Sequence, residues 1–223
     1  MKALRNSLPP TILAVGAPLA LAMLEMFHPH PGDLLALDVR TWLVVHYAQI
    51  LLFPLTALAL ALLVRGRRDI AAAICRIAMF VFAASYVAFD TAAGVVTGIL
   101  VDAAQKSGAP NAWRSAIDAV WSHSIVGGSP QGRPPFLAVF GSIALSTGAI
   151  AAAVSLKRAG RSWPPILLLA ISSFGIAAFK THAWPGGPAT FGGIAVAAAW
   201  LEWEASHAGV TAARPGSSDE VTS

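Results

Sequence analysis

The chain has 223 residues, 56% of them hydrophobic and 12% charged, about half the charge of an ordinary soluble domain, and its mean hydropathy is +0.66. The long apolar runs leave only short connections, which excludes a separate water-soluble domain. The net charge of +4 does not indicate nucleic acid, because the basic residues sit at the ends of apolar runs and not along one polar face.

The first apolar run covers residues 8–27 and contains Pro18. The preceding MKALRNS and the following Ala20-Leu21-Ala22 imitate a secretory signal, but about 20 apolar residues suffice to cross a bilayer. An uncleaved first span is therefore expected, with cleavage after Ala22 as the alternative. After HPHPGDLLALDVR comes the second run, 42–64, with Pro54 inside it. Each of these prolines removes one helical hydrogen bond, from the Ala14 and Ile50 carbonyls respectively. The basic stretch RGRRD leads into the third run, 72–101, which carries the lone Cys75 and the small-residue pair Gly94 and Gly98. One cysteine allows neither an internal disulfide nor a CxxC motif, and Cys75 reads as a small apolar filler.

Residues 102–135 form the longest connection. In it Trp113, Ile117, Val120 and Trp121 recur at helical spacing while Arg114, Ser115, Asp118 and Ser122 face elsewhere. This predicts a short amphipathic interfacial helix resting on lipid, with a lid over the bundle as the alternative. Runs at 136–156, 164–181 and 185–204 follow, separated by KRAGRSW and the tight THAWPGGP. The fold class is thus an all-α integral membrane protein, a six-transmembrane-helix bundle: one membrane domain over 1–206 and a polar tail, 207–223, of disordered composition. Its place is a multi-pass position in a cell membrane, the inner membrane in a bacterium.

Lys and Arg set the orientation, since cytoplasmic flanks accumulate them. With the N-terminus inside, ten fall on the inner side, among them Arg65, Arg67, Arg68, Lys157 and Arg158, and five on the outer side. Both termini are therefore expected inside. Trp42, Trp113, Trp121 and Trp184 then lie at the outer interface and Trp163, Trp200 and Trp203 at the inner one, as indoles prefer.

In this layout five of the six histidines gather in the outer half: His28, His30, His46, His123 and His182. Glu25 and His28 stand three apart, so a helix places them on one face, the geometry of a Glu-x-x-His ligand pair. His46 lies four residues past Trp42, ~6 Å below the interface at 1.5 Å per residue, with Gln49 one turn deeper. Asp90 falls at ~9 Å depth, where an uncompensated acid costs about 2.5–3.5 kcal/mol. Tyr86, Gly94 and Thr97 recur near its face. His182 is held by the Trp-Pro-Gly-Gly-Pro turn.

Three imidazoles and one carboxylate suit a zinc-like divalent metal, with His28, His46 and His182 as ligands and Glu25 and Asp90 as the acids available for ligation or catalysis. His30 and His123 read as surface residues. Chemistry on a lipid-borne or amphipathic substrate is the first functional reading. The alternatives are a haem between two histidines, a proton-coupled carrier using Asp90 and His46, and an accessory subunit contacting a membrane partner or a second copy of the chain. No Walker loop, Gly-x-Ser-x-Gly elbow or His-Glu-x-x-His pair is present.

Overall fold

A computed structural model describes residues 8–30, 32–128 and 133–212, and all regular structure among them is helical. In chain order the helices are α1 (Leu8–Glu25), α2 (Val39–Leu63), α3 (Ile70–Lys106), α4 (Arg114–Trp121), α5 (Phe136–Arg158), α6 (Trp163–Ser172), α7 (Gly175–Phe179) and α8 (Gly186–Ala212). Three of them, α2, α3 and α5, are long and apolar enough to cross a membrane; Thr11–Glu25 and Trp163–Phe179 are apolar but shorter. The start of the chain, with Lys2 and Arg5, lies outside the described residues. At the other end α8 continues to Ala212, past the point where the sequence predicts the tail to begin.

Local chemistry fixes where the helices start. Asp38 accepts from the Arg40 and Thr41 amides at the start of α2, and Asp69 from the Ala72 amide at the start of α3. The Ser155 hydroxyl also donates to Asp69 at 2.8 Å and ties α5 to this cap. That bond, with the Ala72 amide, holds the Asp69 carboxyl below its ordinary range.

The helices close into a ring: α1 packs on α2, α2 on α3, α3 on α5, α5 on α6, α6 on α8, and α8 returns to α1. Phe53, Phe82, Phe191, Leu21, Leu145 and Ile194 fill the middle and are fully buried, with Cys75 among them. Glycines set the closeness of the seams. A methyl group on Gly98 would strike Trp42 and Leu43, and one on Gly141 would strike Tyr86.

Two helices depart from the uninterrupted spans expected of them. Within α3 the backbone widens into a π segment over Asp90–Val96, and the Trp42 indole donates to the Gly94 carbonyl there at 2.7 Å. Trp42 is consequently only 2% exposed, a core residue and not the interfacial anchor that its ring chemistry suggests. The fifth run is broken between α6 and α7. Side chains of its neighbours satisfy the backbone at the break: Ser146 donates to the Ser173 carbonyl, and the Ile176 amide donates to Thr190, each at 2.9 Å.

Helix α4 packs onto the end of the ring through one buried residue. Ile117 is 1% exposed, seated among Leu37, Val39, Trp42, Val101 and Ala104. Arg114 reaches both carboxylate oxygens of Asp33 at 3.3 Å and so tethers α4 to the α1–α2 connection. The Arg114 hydrogen bond holds the Asp33 carboxyl below its ordinary range. The tether is therefore complete at neutral pH and is lost as the pH falls through that lowered value. Asp33→Asn imitates the protonated state at neutral pH and is expected to speed hydrogen exchange of the α4 amides a few-fold, a small effect because the pair is exposed. Unchanged exchange would show that Ile117 alone holds α4 down.

Candidate metal centre

The end of α1, the first turns of α2, the π segment of α3 and the α7–α8 connection meet under α4. Ring adjacency brings them together: α1 touches both α2 and α8, and α2 touches the π segment. Glu25 closes α1 and is fully buried, and His28 follows it in the turn. One ligand atom each from Glu25, His28 and His182 lies within 4.8 Å of the others. The His28 ring stands 4.9 Å from His46 and 5.0 Å from His182, centroid to centroid, edge to face in both cases.

Hydrogen bonds around these side chains orient them. His28 Nδ1 is 3.0 Å from the Pro29 carbonyl and His46 Nδ1 is 2.7 Å from the Trp42 carbonyl. A carbonyl only accepts, so each Nδ1 carries the proton and each Nε2 presents its lone pair. Gln49 donates from Nε2 to Glu25 Oε1 at 2.8 Å and leaves Oε2 free to ligate. Glu25 Oε2, His28 Nε2, His182 Nε2 and Asp90 Oδ2 are all buried and meet no hydrogen-bonding partner among the described residues. Three of these residues, Glu25, His28 and His182, offer ligand atoms within 4.8 Å of one another and form a donor set for a cation, because buried polar atoms are otherwise satisfied.

His46 and Asp90 lie beside this trio. His46 Nε2 is 3.9 Å from Asp90 Oδ1, too long for a direct hydrogen bond, and both residues are buried. Gly94 makes room for the imidazole, since a β-carbon there would overlap the His46 ring. Gly187 does the same for the other ligands: its β-carbon would strike the His182 carbonyl and the Glu25 side chain. His30 and His123 are exposed.

All five side chains that the sequence singles out, Glu25, His28, His46, Asp90 and His182, therefore lie at one end of the ring. Glu25 groups with His28 and His182, while His46 pairs with Asp90. The widening at Asp90 and the service of Gly187 were not read from the sequence. The Gly-Gly pair after Trp184 was the available signal for the latter.

A cavity of about 730 Å³ adjoins the cluster. His28, His46, Asp90 and His182 line one end, and Trp121 of α4 reaches into its wall. The Tyr86 phenol lines it too, 2.8 Å from the Ser142 hydroxyl, which donates to the Ala138 carbonyl; the phenol is thus the donor to Ser142. Compared with family models, with curated proteins and with solved structures, the chain matches none.

Proposed function

We propose that this chain is a six-span membrane protein, both termini cytoplasmic, that holds one zinc-like divalent ion on Glu25, His28 and His182 and acts on an amphipathic or lipid-borne substrate. The single observation that carries the reading is the convergence of unpartnered, buried oxygen and imidazole nitrogen atoms within 4.8 Å. Ligand atoms around one tetrahedral zinc stand ~3.3 Å apart, so the three side chains close by roughly 1 Å as an ion binds. The six-membered ring of helices and the gathering of Arg65, Arg67, Arg68, Lys157 and Arg158 at the end opposite the histidines support the topology.

Three protein ligands leave a fourth position for substrate or water, the arrangement of catalytic and not of structural zinc. A bound ion would supply Lewis-acid polarisation of a carbonyl. In hydrolysis of an acyl linkage, Asp90 takes the proton from the attacking water, and the unprotonated Nε2 of His46 beside it is placed to share that proton. The proton then passes to the departing oxygen or nitrogen as the bond to the acyl carbon breaks. Gln49 holds Glu25 in place, and Trp121 of α4 walls the cavity beside the site.

The T-shaped contacts among His28, His46 and His182 argue against haem, because they leave no slot in which a macrocycle could lie between two of the rings. The packed aromatic middle, with Phe53, Phe82 and Phe191 beneath the site, argues against a polar route across the ring.

Elemental analysis of detergent-purified protein tests the reading. About one divalent transition metal per chain is expected, with strong loss in His28→Ala and His182→Ala and none in the exposed-histidine control His123→Ala. A content far below one per chain, with no rise in melting temperature on adding zinc, would overturn it.

A further inference from the structure

The cavity beside the metal centre extends well beyond the histidines. It runs away from the histidines along one face of α5, past Ser142, Ser146 and Ile150, to Phe174 and α7. Several of its lining residues lie on the outside of the ring: Val139, Ile143 and Ile150 are 41%, 59% and 40% exposed, and Phe174 is 47% exposed. The break between α6 and α7 leaves this side thinly closed, since α5 packs against α6 but scarcely touches α7. In a membrane-spanning chain a gap flanked by such residues faces acyl chains.

The two ends of the cavity differ in chemistry. One end offers imidazole and carboxylate groups, and the length along α5 is mostly apolar, with Thr147 on α5 and Lys180 just after α7 as further polar lining. Ser142 and Ser146 soften the contrast little, because each donates its proton within the protein, to the Ala138 and Ser173 carbonyls. From Val139 to Ile150 the helix rises ~16 Å, long enough to lay out a chain of methylenes. The volume is that of a site for one small ligand, about 300–1,000 Å³. A free polar metabolite would leave the apolar length unused, and a plain hydrocarbon would leave the polar end unused.

We infer that the cavity between α5 and the Phe174–Ala177 stretch is a side opening through which a single-chain acyl amphiphile enters from the bilayer, its ester or amide linkage stopping at His28 and Asp90. The inference rests on the membrane-enzyme reading above and names its substrate class.

A lysophospholipid carrying a photoactivatable diazirine on its chain, incorporated with the full-length protein into phosphatidylcholine nanodiscs, tests this. Cross-links mapped by mass spectrometry are expected to concentrate at 139–150 and 174–177, several-fold above those at Ile77 and Phe80, which are exposed on α3 away from the cavity. Ala177→Trp places bulk at the mouth from an exposed position and is expected to remove the excess while leaving labelling of α3 unchanged. Uniform labelling of all exposed apolar residues, or an excess that survives Ala177→Trp, overturns the inference. Metal content measured on the same nanodiscs separates the two readings: one metal per chain with uniform labelling rejects the acyl site alone, and concentrated labelling without metal rejects the metal centre alone.

Discussion

Gly187→Ala is expected to lower the stability of the protein by about 1–3 kcal/mol, the usual cost of overpacking, and to strip the metal centre of most of its affinity. The added β-carbon would meet the His182 carbonyl, which is backbone and cannot swing aside, and would approach the Glu25 Cγ to 2.8 Å. Relief requires the α7–α8 connection or the end of α1 to move, and each carries a proposed ligand. Gly16→Ala, also in a helix, is the matched control because a β-carbon there meets nothing within 4 Å. It should stabilise by ~0.5–1 kcal/mol through helix propensity. Thermal unfolding in detergent, with metal content read on the same samples, checks both. Similar melting temperatures for the two variants would mean that the tight approach at Gly187 has no energetic weight.

Gln49→Leu is expected to weaken metal binding by about 10–100-fold, the usual cost of removing a group that orients a ligand. Gln49 is fully buried, and its hydrogen bond is the one that the Glu25 carboxylate receives from side chains among the described residues. Leucine is close in size and apolar, so the packing between α1 and α2 survives while Glu25 loses its fixed rotamer. Competition against a chromophoric chelator measures the affinity. A purely architectural Gln49 would leave the affinity unchanged while shifting the melting temperature, and that outcome would remove Gln49 from the site.

The residues of the candidate site were legible because ionisable groups are expensive in an apolar run and must be explained wherever they occur. Glu25, His46 and Asp90 announce themselves that way, and helix rise alone puts them at similar depth. Depth is a distance along an axis, however, and says nothing about direction around it. Whether Glu25 would face His182 or Asp90 depended on which helices are neighbours, and only the closed ring supplies that. Trp42 misleads because an indole is at home both at a headgroup and in a packed interior with a carbonyl to receive its N–H. The short helix α4 has the pattern of a surface helix; that pattern fixes which residues are buried but not whether lipid or protein buries them. The interruption between α6 and α7 has no proline and only one glycine nearby, and its backbone groups are satisfied by Ser146 and Thr190 from far along the chain. A window of neighbouring residues contains neither partner.

The π segment in α3 carries a consequence for any attempt to shorten or resurface that helix. One extra residue per turn advances everything beyond it by ~100° about the helix axis. Tyr86, on one side of the segment, and Gly98, on the other, each face a correct neighbour only because of that offset. Deleting a single residue between Asp90 and Val96 would restore a regular spiral and turn one half of α3 away from its seam. The helix behaves as two shafts joined by a fixed coupling, and the carboxylate of Asp90 is mounted on the coupling itself.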